Sequence, residues 1–323
     1  MTKRISESKF LITGGAGFIG SNIVSYLLKN GAKEVRVIDN LSTGYMENIQ
    51  EHMEHPSFLF IKGDIVNAED CNKACEGIDY VLHNAALGSV PRSIKDPVAT
   101  NKVNVNGTLN MLQAAVQNKI KRFVYASSSS VYGDDKTMPK KEEKTGILLS
   151  PYAVTKKCNE LYADVFYKTY GLEVIGLRYF NVFGPKQNIK QPVYAAVIPI
   201  FINELLNNRS PSIFGDGSTT RDFTYVENVI HANLLAAFSN NDKAINQVFN
   251  VAFGGTTSLN TLFNLISKEL NTDIKPEYKP ERFGDIKDSF ADISKARTLL
   301  EYSPTIDIHE GISRTVAWYR QQQ

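Results

Sequence analysis

Residues Tyr125–Gly133 read YASSSSVYG, four serines in a row closing an apolar run. Packing alone gives no reason for four hydroxyls at a strand end, whereas a reacting oxygen would use one or more of them. A second group able to do chemistry is the spacing Tyr-x-x-x-Lys, which occurs twice. Tyr132 and Lys136 lie in VYGDDKTMP, where Gly133, two aspartates and Pro139 predict a loop that aligns nothing. Tyr152 and Lys156 lie in SPYAVTKKCNELYADVF, whose apolar residues Cys158, Leu161, Tyr162 and Val165 predict a helix. On that helix the two side chains stand one turn apart and face the same way. A phenol has a pKa of about 10 and is a poor base at neutral pH. A nearby ammonium and an oxidised nicotinamide ring both favour the phenolate. Tyr152 is therefore expected to take a proton from a sugar hydroxyl while hydride leaves the same carbon. Lys156 is expected to hold the nicotinamide ribose as well. Ser128 is expected to share a hydrogen bond with the reacting oxygen, and Ser129 and Ser130 to line the same cavity. The plainer reading of the pair is a surface Tyr–Lys contact; a nucleotide-binding loop elsewhere in the chain argues against it.

That loop is ITGGAGFIGS, which follows the first apolar run and leads into an amphipathic segment. Gly14, Gly17 and Gly20 give a G-x-x-G-x-x-G spacing, which permits a tight turn, backbone approach to a pyrophosphate and close helix–strand contact. The helix start then offers free N–H groups to the anion. Alone, the motif reads as a glycine-rich turn. Its context adds Asp39, ending VRVID, where a carboxylate can bind both adenosine ribose hydroxyls and would repel a 2′-phosphate. It adds Asp64 and Ile65 in KGDI, placed to border an adenine. Three strand ends pointing at one nucleotide predict NAD rather than NADP.

The elements that must position these groups are legible as alternation. Candidate strands are Phe10–Thr13, Val35–Asp39, Phe58–Lys62, Tyr80–His83, Phe123–Ser127 and Val174–Arg178. Helical segments separate most of them, one carrying Val105, Leu109, Leu112 and Val116 at helical spacing with Met111 and Ala115 on a second flank. Unbroken apolar strands joined by helices predict an α/β fold with a Rossmann-type doubly wound parallel sheet. After about Asn181 the alternation breaks, and Pro185, Pro192, Pro199 and Pro211 punctuate short pieces. Phe214–Gly217 reads as a turn, Val248–Val251 as a strand returning to the sheet, and Leu259, Leu262, Phe263 and Ile266 as one helix face. The expected division is an NAD-binding domain over residues 1–180 with a returning strand near 247–253, and a smaller, discontinuous α/β lobe over most of 181–323.

Composition narrows the class. The chain has 323 residues, 42% hydrophobic and 22% charged, with a formal net charge of +2 and no block of like charges. Nothing there calls for nucleic acid or a membrane surface. The first apolar run, at Phe10, is too short for a signal-peptide core or a membrane span, so a cytoplasmic protein is expected. Cys71, Cys75 and Cys158 suit a reducing compartment, with Cys71 and Cys75 read as buried thiols. Five scattered histidines have no zinc-like spacing, so no metal is expected.

With these residues in view, the sequence resembles an extended short-chain dehydrogenase/reductase along nearly its whole length. Within that group it is similar to nucleotide-sugar 4-epimerases, the subgroup acting on UDP-N-acetylglucosamine. The resemblance implies further cofactor contacts at Phe18 and Ile19 in the glycine loop, at Asn40, Ser42, Thr43 and Gly44 after the second strand, and at Ala85, Asn104 and Tyr179. It implies that LRYFNVFGP supplies Asn181 to a sugar or phosphate, and that SIFGDGSTTRDFTYV supplies Phe214 near uracil and Arg221 near the diphosphate. ERFGDIKDS would supply Arg282 as a second diphosphate ligand, with Asp285 and Val197 as further substrate contacts. Each planar guanidinium can bind two phosphate oxygens.

Related dehydratases carry an Asp-Glu pair after the catalytic hydroxyl, and related decarboxylases a glutamate nearby. Here those places hold Ser129 and Ser130, which favours epimerisation. The implied reaction oxidises C4 of a UDP-hexose to a ketone with Tyr152 and NAD. The sugar then swings about its diphosphate, and the hydride returns to the other face. Ser289 stands where enzymes limited to UDP-glucose and UDP-galactose often have a tyrosine, leaving room for a 2-acetamido group. ALGSVPRSI resembles the N-acetylhexosamine-preferring subgroup, with Ser89 as a substrate contact and Arg92 suited to a C6 carboxylate or to the loop itself. The reading is a 4-epimerase of UDP-N-acetylglucosamine and UDP-N-acetylgalactosamine, extending to their uronic acid forms. Its rivals are a UDP-glucose 4-epimerase, a net-redox sugar-nucleotide reductase or dehydrogenase, and a nucleotide-sensing binding protein on the same fold. Apolar flanks on the helices at about 96–118 and 151–170 predict a homodimer.

Overall fold

The computed structural model describes residues 1–187, 196–281 and 288–322. Seven strands form one parallel sheet: β1 (Lys9–Thr13), β2 (Glu34–Asp39), β3 (Phe58–Lys62), β4 (Tyr80–His83), β5 (Arg122–Ser128), β6 (Val174–Tyr179) and, later in the chain, Gln247–Val251. Their spatial order is β3-β2-β1-β4-β5-β6 followed by Gln247–Val251, every pair parallel. The order reverses between β1 and β4, and ligands of doubly wound sheets bind at the carboxyl ends of strands beside such a reversal. β6 is buried at every residue and β5 at all but its last, which is why both read as unbroken apolar runs.

Helices cover both faces. Phe10 and Ile12 join the apolar layer under helices Phe18–Lys29, Val226–Phe238 and Ser294–Leu300. Leu11, between them, joins the opposite layer under Ala68–Cys75, Gly107–Gln117 and Pro151–Tyr170. Each fully buried aliphatic side chain in such a layer contributes about 1.5–3 kcal/mol. Helix Val226–Phe238 packs on the sheet although it follows residue 181. Cys71 and Cys75 are buried, and burial pushes both thiols up to about 12, which suits structural thiols.

A third apolar cluster gathers helices Val197–Leu206, Leu259–Leu270 and Ile308–Arg320 around Phe201, Phe263 and Ile312. Short strand pairs edge it: β7 (Val182–Phe183) with β10 (Thr224–Tyr225), and β8 (Ser212–Phe214) with β13 (Glu277–Lys279). A third set joins β9 (Thr220–Arg221) to β12 (Thr257–Ser258) and β14 (Asp288–Ser289). Gln247–Val251 takes the remaining place in chain order as β11. Phe214 thus ends a strand, and the turn begins at Gly215.

Two helix readings need correction. The segment at about 96–118, preceded by a separate helix, Val90–Lys95, is helical from Pro97 to Gln117, but Pro97–Asn101 passes through a π-helical turn, Lys102–Asn106, into Gly107–Gln117. Its core face is Thr108, Met111, Leu112 and Ala115, whereas Val105, Leu109 and Val116 are half-buried. Helix Pro151–Tyr170 is inverted more thoroughly. Leu161, Tyr162 and Val165 are exposed, and the inward face carries Lys156, Asn159 and Glu160.

Candidate active site

Helix Pro151–Tyr170 starts where it does for local reasons. Ser150 Oγ accepts the Ala153 N–H at 3.1 Å, and Pro151 occupies the first turn, where its missing N–H costs nothing. Tyr152 and Lys156 are therefore presented at the helix start, against the carboxyl end of β5. Lys156 is buried and its ammonium donates to Ala126 O at 2.7 Å. The Tyr152 ring lies 5.9 Å from Lys156 Nζ, and its hydroxyl is turned toward Ser128.

Its electrostatics differ from the expectation. Burial raises the Tyr152 pKa, opposed only by Ser128, and burial pushes Lys156 down to about 8. An ammonium committed to a carbonyl and partly titrated near neutrality does little to acidify the phenol. Burial therefore dominates at Tyr152 in the chain alone, and the positive charge expected to favour the phenolate is the one an oxidised nicotinamide brings.

These residues border a cavity of about 400 Å³ along the carboxyl ends of β1, β2, β4 and β5. Gly14, Gly17, Phe18, Ile19 and Gly20 line one end. Asp39, Asn40, Ser42, Thr43 and Gly44 line the next stretch, with Asp64 and Ile65 beside them. Ala85, Tyr179, Ser128, Tyr152 and Lys156 complete it. A Cβ added at Gly20 would stand 2.2 Å from Gly14 O, so only glycine permits the helix this close to the loop. Asp39 is oriented by the backbone N–H groups of Ala16 (3.0 Å) and Leu41 (2.8 Å). Asp64 accepts from Asn40 Nδ2 at 3.0 Å. A glycine cradle, a steered carboxylate at the second strand end and a Tyr–Lys pair at the far end fit NAD.

Asn104 does not border this cavity and is corrected to a supporting residue. It is fully buried, bonds both backbone groups of Leu87, and donates to Thr155 Oγ1. Behind it lies a fixed chain of donors. Thr108 Oγ1 gives its proton to Asn104 O, so it accepts from His83 Nε2 at 3.0 Å. His83 Nδ1 then accepts from Thr13 Oγ1, which accepts the Ala85 N–H. Burial and the Lys156 charge push His83 down to about 3, so it stays neutral and the cavity wall at residues 84–88 stays put.

The four serines divide their work. Ser127 donates to Glu160 Oε1 at 2.7 Å, and Glu160 also pairs with Arg178 (2.8 Å), both buried. Removing one partner from such a pair costs about 3–5 kcal/mol, so the strand end and the catalytic helix are fixed together. Ser128 faces Tyr152. Ser129 and Ser130 do not line the cavity as expected; the chain turns into a short 3-10 helix, Ser129–Tyr132, and Ser128 Oγ accepts the Ser130 N–H at 3.1 Å. Tyr132 is buried with its hydroxyl on Asn250 and Lys136 is exposed, so that pair shares no face.

A second cavity, about 500 Å³, adjoins the first: Asn181 and Val182 border both. Val197, Phe214 and Arg221 line it, with Phe201, Phe223 and Leu259. Ser289 pairs with Arg221 across β9 and β14 but is not on the cavity wall. Ser89 also stands off, capping helix Val90–Lys95 through the Arg92 N–H at 3.4 Å. Arg282 and Asp285 lie outside the described residues. Sequence reasoning missed Asn84, Gly88 and Val182 on the first wall, although position after β4 and β6 could have flagged them. It also missed Phe201 and Phe223, which read as ordinary core.

Residues 10–252 match the NAD dependent epimerase/dehydratase family. Among solved structures, the UDP-N-acetylglucosamine 4-epimerase of Methanobrevibacter ruminantium, in complex with UDP-N-acetylmuramic acid, is 44% identical with a TM-score of 0.92, covering 98% of this chain and 99% of that one. The UDP-glucose 4-epimerase of Thermotoga maritima, with UDP-glucose, is 36% identical with a TM-score of 0.89, covering 97% and 99%. The UDP-glucose 4-epimerase of Mycolicibacterium smegmatis is 36% identical over 312 residues, 96% of this chain and 98% of that one. Among the described residues no helix is long and apolar enough to cross a membrane.

Proposed function

From the premise that the chain belongs to the NAD dependent epimerase/dehydratase family, we propose that it inverts C4 of UDP-N-acetylhexosamines, interconverting the gluco and galacto forms. The broader activity is that of an NAD-dependent UDP-sugar 4-epimerase, an isomerase. The observation that supports a UDP-sugar reaching the Tyr152 site is the junction of the two cavities. A UDP moiety in the second, held by Arg221 and Phe214, delivers its sugar past Asn181 to Ser128 and Tyr152.

Bound NAD supplies a reversible acceptor for the hydrogen on C4. Tyr152 receives the proton of the C4 hydroxyl and returns it after the sugar has turned, giving a transient 4-keto sugar in between. Ser128, facing the same phenol, holds that oxygen. Lys156, fixed on Ala126 O, holds the ribose end. Asp39 and the glycine loop hold the adenosine half. The proposed division of labour is an NAD-binding unit over residues 1–180 with β11, and a UDP-sugar lobe over most of 181–323. The third apolar cluster supports that division.

Support for the acetamido group is the likeness to an enzyme named for UDP-N-acetylglucosamine. The uronic acid forms stay within the proposal through Arg92. The rival is a UDP-glucose 4-epimerase, favoured by the names of two relatives. Steady-state kinetics decide between them. We expect kcat/KM for UDP-N-acetylglucosamine to exceed that for UDP-glucose by about tenfold or more, the scale of a few buried contacts; the reverse order would overturn the acetamido reading.

The proposed assembly is a homodimer. Ile94, Val98, Leu161 and Val165 are 63%, 77%, 58% and 50% exposed on adjacent helices, an apolar face that a single chain leaves in water. Light scattering at micromolar concentration should give twice the 36.0 kDa chain mass; a monomer would refute it. The unpaired cysteines suit a cytoplasmic setting.

A further inference from the structure

Asp222 follows Arg221 in the chain, is 1% exposed, and has no ion-pair partner among the described residues. Its carboxylate is held by backbone N–H groups from two separate segments. Oδ1 accepts from Phe253 (3.1 Å) and Gly254 (3.3 Å); Oδ2 accepts from Gly254 (3.1 Å) and Ala291 (3.2 Å). Gly254 has φ +87°, a conformation that favours glycine and turns successive N–H groups inward. The main chain of Asp222 is equally committed: its N–H donates to Ser289 O (2.9 Å) and its C=O accepts from Asn181 Nδ2 (3.0 Å).

Side chain and main chain of Asp222 together thus tie the 253–255 loop and residues 289–291 to Arg221, its neighbour in the chain, and to Asn181; of these, Arg221 and Asn181 line the second cavity. A carboxylate in a dry site needs a reason, since burying one without a counter-ion is costly. We infer that Asp222 is a positioning residue, an anionic clasp that assembles the UDP-binding wall by gathering backbone N–H groups, and that UDP affinity depends on its ionised state. This rests on the UDP-sugar reading above.

Burial pushes the Asp222 carboxyl up to about 6 from an ordinary 3.8, against the backbone hydrogen bonds. The groups around it are otherwise engaged. Tyr302 gives its hydroxyl to Ala252 O and is held protonated by burial and by the Asp222 charge. Arg221 Nη1 bonds Thr220 O, Asp288 accepts from Thr220 Oγ1, and Asp292 accepts the Ser294 N–H with Lys141 Nζ at 3.8 Å. Lys140, paired to residues 290–292 by its main chain, turns its ammonium to Asp135.

A folded pKa above the unfolded one means that this group's contribution to stability is full below about 3.8 and is lost as pH rises through about 6. Acidification through 6 therefore does not unfold the protein through Asp222, yet it removes the charge that gathers the N–H groups. Global stability and UDP affinity should part company there.

The test is calorimetric titration of UDP into the NAD-containing protein, wild type and Asp222→Asn, from pH 7.5 to 5. Wild-type Kd should weaken by up to tenfold per pH unit below about 6 with thermal stability maintained. In the variant, Kd and the KM for UDP-sugar should rise at least tenfold at pH 7.5 and lose that pH dependence, with kcat within threefold and cofactor content unchanged. The terminal phosphate of UDP itself takes up a proton near pH ~6, so the wild-type profile is repeated with UDP-glucose, whose diphosphate keeps its charge over this range. A pH dependence that persists there stands even where Asp222→Asn fails to fold, and one that vanishes overturns the clasp. Wild-type affinity flat with pH, or a folded variant binding UDP within twofold of wild type, would overturn the clasp. A wild-type protein that does not bind UDP at all would overturn the functional reading itself.

Discussion

A Tyr152→Phe protein is expected to fold, to retain its cofactor, and to lose about 10²–10⁴-fold in kcat, the range for removing a positioned acid–base group. Phenylalanine keeps the ring and its place in the cavity wall, and removes only the hydroxyl that meets Ser128. KM should change little, because UDP is held in the other cavity by Phe214 and Arg221. Single-turnover and steady-state rates on the same UDP-sugar measure the effect. A variant with unchanged kcat would show that a group other than Tyr152 handles the C4 proton.

The second large effect is at the cofactor. Gly20→Val should yield protein that folds around its sheet yet carries less than about a tenth of the wild-type NAD, with activity down at least 10²-fold. The added Cβ would meet Gly14 O at 2.2 Å and Gly15 Cα at 2.8 Å, both backbone atoms that no rotamer change can move aside. Overpacking of this kind costs about 1–3 kcal/mol or more, and the relief available is to push the loop outward into the space for the pyrophosphate. Chromatography of the dinucleotide released by denaturing the purified protein reads the result directly. Full occupancy would mean that the loop serves the fold and not the cofactor.

The sheet was legible because its signals are local. Phe10–Thr13 and Val174–Arg178 are apolar runs bounded by turn residues, and each became a buried parallel strand one residue longer. The cofactor cavity was legible for the same reason: each strand end carries its own polar residue, so Asp39 and Asp64 could be placed one at a time.

What was misread depends on partners far away in sequence. On helix Pro151–Tyr170 the apolar stripe suggests the buried face, yet Lys156 and Glu160 turn inward because Ala126 O, Ser127 and Arg178 wait there. The apolar stripe is left facing solvent, where a second chain would cover it. Ser129 and Ser130 were misplaced because a 3-10 turn rotates them away immediately after the strand. Asp222 carries no sequence signal at all, since its partners are backbone N–H groups of residues 253, 254 and 291. Spacing shows that Lys156 is near Tyr152; it does not show that the ammonium is tied to Ala126 O.

The most direct measurement is one distance in a crystal of the Tyr152→Phe or wild-type protein grown with NAD and UDP-N-acetylglucosamine. The account predicts that the C4 oxygen of the sugar lies about 2.6–3.2 Å from the wild-type Tyr152 hydroxyl, within reach of Ser128 Oγ. A sugar bound with C4 turned away from residue 152, or excluded from the space between the two cavities, would contradict it.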